Sequence, residues 1–280
     1  MVAVTSYGPM IYRKRRTMSS RQTKAVLLDW AGTTIDYGSR APTRVFAEIF
    51  RRRGVEITVE EARGPMGRAK HEHIAMVAAL PRVSDCWRQR HGAVPTETDV
   101  RAMYDDFLPL QKDILKQGAE VIPGIPEAIA ELRRQGILIG STTGYTRALM
   151  EIVIPIAAAR GYEADVVVCS DEVSAGRPAP WMNVRAAEIL GAFPFNQIVV
   201  VDDTPVGIEA AKNAGMTAVG VTQTGNALGL SETEVSNMPQ ASLHQRLQQI
   251  DREFRQAGAD YVITSVRELP SLLNHIENPS

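Results

Sequence analysis

A chain of 280 residues, 44% apolar and 22% charged, has an ordinary globular composition and room for one large domain or a core with a smaller insert. A formal net charge of −1 provides no overall field for nucleic acid or acidic lipid, and neither is expected as a partner. Cys86 and Cys169 are too far apart in sequence to suggest a disulfide framework or zinc site, and no apolar run reaches the roughly 18 residues of a membrane span, so a cytoplasmic location is expected.

Along the chain, residues 1–23 carry the basic stretch "YRKRR" without the apolar core of a signal peptide, and are expected to be a disordered tail. Ala25–Asp29 is the first short apolar run with the length of a buried strand. Residues 38–117 contain no strong strand run. Helical spacing there predicts Pro42–Arg53, Met66–Leu80 and Asp99–Lys116, a helical insert. From residue 118 the pattern alternates. "PGIPEAIAELRRQG" opens with prolines and stops at Gly136, as a helix should. Strand runs follow at Ile137–Ser141, Asp165–Ser170, Gln197–Asp203, Thr217–Val221 and Asp260–Val266. Helices are predicted from "TRALMEIVIPIAAARG", where Pro155 should introduce a kink, and from "WMNVRAAEILG" and "PVGIEAAKNAG". "TQTGNALGLSETEVSNMP" is expected to be a surface loop with a short helix. Alternating strands and helices imply an α/β fold with a parallel sheet covered on both faces, formed by residues 24–37 and 118–280.

In such sheets, ligands bind outside the carboxyl ends of the strands. Those ends here are Asp29, Ser141-Thr142-Thr143-Gly144, Ser170-Asp171 and Asp202-Asp203-Thr204. The acids suit a hard cation such as Mg2+, and the hydroxyls before a glycine suit anionic oxygens. Asp29 with Gly32-Thr33-Thr34, the Thr142-Thr143 strand end, Arg177 before Pro178 and the Asp202-Asp203 strand end occur in the order of the haloacid dehalogenase superfamily, which the chain resembles. The resemblance implies a Rossmann-like core with a mobile cap after the first strand, an aspartate that attacks phosphorus, and a requirement for magnesium.

Phosphatases of that superfamily carry a second acid two residues after the nucleophile, which protonates the leaving alkoxide. Ala31 stands there and has no proton to give. Either the site has decayed into a binding site or the leaving group needs no such proton. Only six of 31 basic residues are lysine, and Lys70 is the sole lysine between Lys24 and Lys112. Lysine, unlike arginine, can lose its proton when desolvated. Met66, Lys70 and His73 are spaced i, i+4, i+7, which would place them on one helix face.

"DWAGTT", "PMGRAKHEH", "GSTTGYT" and "AGRPAPWM" together resemble the phosphonatase family, over roughly Lys24 to His275. The resemblance implies hydrolysis of the carbon–phosphorus bond of phosphonoacetaldehyde. By the resemblance and the chemistry together, Asp29 would be nucleophile and metal ligand, with the Ala31 backbone oxygen and Asp203 completing the protein's share of the metal shell. Lys70 would form a Schiff base and His73 would shuttle protons. Thr143, Gly144 and Arg177 would hold phosphonate oxygens, while Met66, Tyr145 and Trp30 would wall the pocket or pack, with core packing at least as fitting for Trp30. Gly207 occupies a position where many superfamily members have a further acid, which leaves the metal shell open. The family often dimerises through the cap, and Val45–Phe50 could serve such a contact or the cap's own core. Other outcomes are a phosphatase or phosphomutase of the same superfamily, or a non-catalytic binding protein.

Overall fold

A computed structural model describes residues 23–278. All of the expected basic tail except Thr23 lies outside the described residues.

Six parallel strands form one sheet among the described residues: β1 (Ala25–Leu28), β2 (Leu138–Thr143), β3 (Val166–Cys169), β4 (Ile198–Asp202), β5 (Thr217–Val221) and β6 (Tyr261–Ile263), in the order β3-β2-β1-β4-β5-β6. Alternate residues of each strand serve opposite faces. Val26, Leu28, Val199 and Val201 belong to one apolar cluster, and Ala25, Leu27, Ile198 and Val200 to the other. The first cluster is completed by α6 (Ile125–Arg134), α7 (Arg147–Ala158) and α12 (Leu269–Glu277). The second is completed by α8 (Trp181–Leu190), α9 (Pro205–Asn213) and α11 (Gln240–Gln256). Burial on both faces explains why the strands read as continuous apolar runs. The chain leaves β1 for β2 on one side and later returns to β4 on the other. The crevice above β1 is therefore the topological switch point of the sheet.

Between β1 and β2 the described chain also carries α1 (Arg40–Arg52), α2 (Val59–Arg63), α3 (Lys70–Ala78), α4 (Pro81–His91) and α5 (Glu97–Gly118), all preceding α6. These five helices enclose their own apolar cluster around Phe46, Phe50, Ile74, Trp87 and Phe107. Val45, Phe46, Ile49 and Phe50 are buried in it, so the apolar face of α1 is core and offers no dimer contact. The two connections to the sheet run side by side: the Asp36 amide donates to the Glu120 carbonyl (2.9 Å) and the Ile122 amide to the Thr34 carbonyl (2.9 Å).

Several elements differ from expectation. The helix expected over Met66–Leu80 starts only at Lys70, because Gly67 has φ +91° and Met66 closes a turn onto the Arg63 carbonyl (3.0 Å). Met66 is therefore not on the helix of Lys70 and His73. No element is predicted over α2 or α4. The former is a short helix fixed by a Thr58–Glu61 capping box, and the latter begins with Pro81. Helix α7 continues through Pro155 to Ala158. The short helix expected after residue 222 is α10 (Glu232–Ser236). The loop before it is no surface loop, since Thr222, Thr224 and Asn226 are buried.

Candidate active site

Asp29 immediately follows β1, and its amide donates to the Val201 carbonyl of β4 (3.0 Å), which fixes it between the two strand ends. Asp202 ends β4 and Asp203 follows it. One oxygen from each of these three buried acids lies within 4.8 Å of the others. Arg177 is buried among them. Its Nη2 is 2.6 Å from Asp29 Oδ1 and 3.2 Å from Asp202 Oδ2, and donates to Thr142 Oγ1 at 3.0 Å. Burial alone would lower the guanidinium's pKa, but Asp202 and Asp29 outweigh it and keep Arg177 charged.

The two acids at the end of β4 are held differently. Asp202 accepts from the Thr204 amide (2.9 Å) and hydroxyl (2.7 Å). Its carboxylate fills the space over Gly207, where a Cβ would lie 1.9 Å from Asp202 Cγ. A side chain at position 207, acid or otherwise, has no room in this arrangement. Asp203 accepts from the Asn226 amide (2.7 Å) and turns toward Gly32, whose φ of +86° suits glycine and whose missing Cβ would stand 2.0 Å from Asp203 Oδ2. Burial, reinforced by Asp29 and Asp202, pushes the Asp203 pKa well above its ordinary value. Three buried carboxylates against one guanidinium form a site that a cation would relieve. Asp29, Asp203 and Ala31 all line the cavity between them, so the donor set fits a hard divalent ion; Asp202 is not in that wall.

Lys70 faces the same cavity from the first turn of α3. It is 5% exposed, with Nζ 5.1 Å from the Tyr145 ring centroid and 5.6 Å from that of Phe46. Burial pushes its pKa down to about 8; Asp29 opposes this and Arg177 adds to it. The position at a helix N-terminus also disfavours a cation. Met66, Thr143, Gly144, Tyr145, Arg177, Asp29, Ala31 and Asp203 complete the expected residues found in the wall. Ser39 and Thr204 join them. Trp30 is outside it, packed edge-on against Tyr162 at 5.1 Å in the sheet's core. About 20 Å³ remains free, room for about one water molecule. A larger cleft of about 570 Å³ lies beside the connecting segments, at Asp36, Arg40, Glu120 and Ser231, and contains none of the residues expected to carry chemistry.

His73 is not in the cavity wall. Its ring stacks on Phe46 with centroids 3.6 Å apart, and Nε2 is 2.8 Å from the Ala62 carbonyl. A carbonyl can only accept, so Nε2 carries the proton, and Nδ1 has no hydrogen-bond partner. Burial and then Lys70 hold the imidazole pKa well below its ordinary value. One contributor had no legible signal in the sequence. Asn226, in a loop of unpatterned polar residues, supplies the amide that orients Asp203.

The profile of the haloacid dehalogenase-like hydrolases matches residues 23–215. A phosphonoacetaldehyde hydrolase of Bacillus cereus (strain B4264) is 45% identical over 254 residues, covering 91% of this chain and 96% of that protein. A bifunctional phosphonoacetaldehyde hydrolase/aminoethylphosphonate transaminase of Clostridioides difficile is 46% identical over 91% of this chain, which spans 40% of that longer protein. The crystal structure of a phosphonoacetaldehyde hydrolase-like protein from Oleispira antarctica superposes with a TM-score of 0.90 at 36% identity, covering 95% of this chain and 97% of that one. The chain is a hydrolase of the haloacid dehalogenase-like family and belongs, within it, to the phosphonoacetaldehyde hydrolases.

Proposed function

We propose that the protein hydrolyses phosphonoacetaldehyde to acetaldehyde and phosphate, with Lys70 and Asp29 as its two covalent centres. The observation that carries this is the sharing of one small cavity by the Asp29 carboxylate, a buried amine of lowered pKa and an alanine at position 31. Breaking a C–P bond directly would expel a carbanion. Neutral Lys70 instead adds to the aldehyde carbonyl and water leaves, giving a protonated imine. An Asp29 oxygen then attacks phosphorus, and the C–P electrons flow into the iminium to give an enamine. Protonation of the enamine at carbon and hydrolysis of the imine release acetaldehyde and restore Lys70. Water hydrolyses the aspartyl phosphate. No alkoxide forms, so position 31 needs no acid.

Arg177, Thr143 and the Gly144 amide neutralise and orient the phosphonate oxygens. Asp29, Asp203 and the Ala31 carbonyl would hold a Mg2+, whose charge would lower repulsion between carboxylate and phosphonate. His73 lies behind Lys70; its unpartnered Nδ1 and neutral state support a proton relay to Lys70 through water. The small free space supports treating residues 38–117 as a cap that opens to admit substrate and closes to exclude water. A homodimer through that cap, on a surface other than the buried face of α1, belongs to the same proposal. So does a cytoplasmic location, which the two free cysteines favour. Among the described residues no helix is long and apolar enough to cross a membrane.

The direct test is release of phosphate and acetaldehyde from phosphonoacetaldehyde with and without Mg2+. Equimolar products, lost on chelation, are expected. Phosphate release from ordinary phosphate esters with none from phosphonoacetaldehyde would select a phosphatase instead.

A further inference from the structure

Arg63, the last residue of α2, reaches out of the helical insert and into the sheet's loops. Its Nη1 donates to the Gly38 carbonyl (2.9 Å), the Asn226 carbonyl (2.9 Å) and Asn226 Oδ1 (3.2 Å), and its Nη2 to the Gly229 carbonyl (3.1 Å). The guanidinium lies against Gly229, where φ is +68° and a Cβ would stand 2.6 Å from Arg63 Cζ. The backbone of the same residue accepts from the Met66 amide (3.0 Å), which closes the turn that brings Met66 to the cavity. On the far side, the Asn226 amide donates to Asp203 Oδ2 at 2.7 Å. One arginine therefore spans the connecting segment at Gly38, the loop that holds Asp203 and the turn that carries Met66.

We propose that Arg63 is a positioning residue: a latch that ties closure of the helical insert to the orientation of the Asp203 carboxylate. It touches no reacting atom. With the insert seated, Arg63 fixes both acceptors of Asn226, and the Asn226 amide is then held on Asp203. With the insert lifted, those bonds break together, the 225–229 loop loosens and Asp203 loses the donor at Oδ2, keeping only the longer bond from Thr33 Oγ1 to Oδ1 (3.4 Å). The latch rests on the assignment of Asp203 to the metal site, and its test separates the two.

Full-length Arg63→Ala and Arg63→Lys are compared with the parent in two experiments. Amide hydrogen exchange follows Asn226, and a calorimetric titration uses Mg2+ alone. Removal of charge-assisted hydrogen bonds should speed Asn226 exchange about tenfold and weaken Mg2+ binding about tenfold in Arg63→Ala. Arg63→Lys, which keeps the charge but not the fork, should fall between the two, at about threefold. A folded Arg63→Ala with parental exchange at Asn226 overturns the latch; where Arg63→Ala does not fold, parental exchange in Arg63→Lys does so. Faster exchange with no Mg2+ binding in the parent would uphold the latch and refute the metal assignment.

Discussion

An amine attacks a carbonyl only when neutral, so the environment of Lys70 sets the pH range of the proposed chemistry. An ordinary lysine with a pKa of 10.5 is almost fully protonated at neutral pH; at about 8 the neutral fraction is larger by about 300-fold. Burial and Arg177 favour the neutral amine, and Asp29 resists it. Loss of the proton switches activity on, so kcat/KM at saturating Mg2+ should rise about tenfold per pH unit below pH 8 and level off above it. A profile flat from pH 6 to 9 would mean that Lys70 deprotonation does not limit the reaction. The same site explains what single residues disclosed in the sequence. Asp29, Asp203, Thr143 and Arg177 stand at strand ends or in a contiguous motif, where local pattern predicts position. His73 keeps its helical spacing from Lys70 on α3, but spacing gives direction and not depth: its ring stacks on Phe46 and Nε2 meets the Ala62 carbonyl inside the helical insert, outside the cavity wall.

At the scale of elements, strands were the most legible, because burial on both faces leaves uninterrupted runs such as "VLL" and "IVVV". Helices α2, α4 and α11 were not. Helix α2 is only one turn long, and α4 and α11 are rich in charged and glutamine residues that dilute the apolar stripe. The 222–226 segment misled for a different reason. Its polar side chains resemble those of a surface loop, yet Thr224 Oγ1 donates to the Gly32 carbonyl (2.8 Å) and Asn226 bonds both Arg63 and Asp203. Buried polar residues satisfied by distant partners leave no periodic trace in a single sequence.

The molecule as a whole joins a sheet that supplies carboxylates to a helical insert that supplies an amine. Without a cation, Asp29, Asp202 and Asp203 repel one another in a buried site, and that cost belongs to the folded state. A cation that binds only the folded chain stabilises it by about 2.7 kcal/mol at a hundred times its Kd, a rise of about 5 °C in Tm for a chain of this size. Asp203→Asn should lose that increment and melt no lower than the parent in chelator, since one of the opposing charges is gone. Thermal melts with and without Mg2+ check both; a variant that kept the whole increment would remove Asp203 from the metal shell.

In the proposed chemistry Lys70 becomes bonded to substrate carbon. Incubation with phosphonoacetaldehyde and borohydride, followed by mass spectrometry of the digested protein, tests it most directly. A reduced two-carbon adduct on the peptide containing Lys70 is expected, with irreversible inactivation in step with its formation, and neither adduct nor turnover in Lys70→Ala. An active Lys70→Ala enzyme, or an unmodified Lys70 in a protein that still releases phosphate under borohydride, would contradict it.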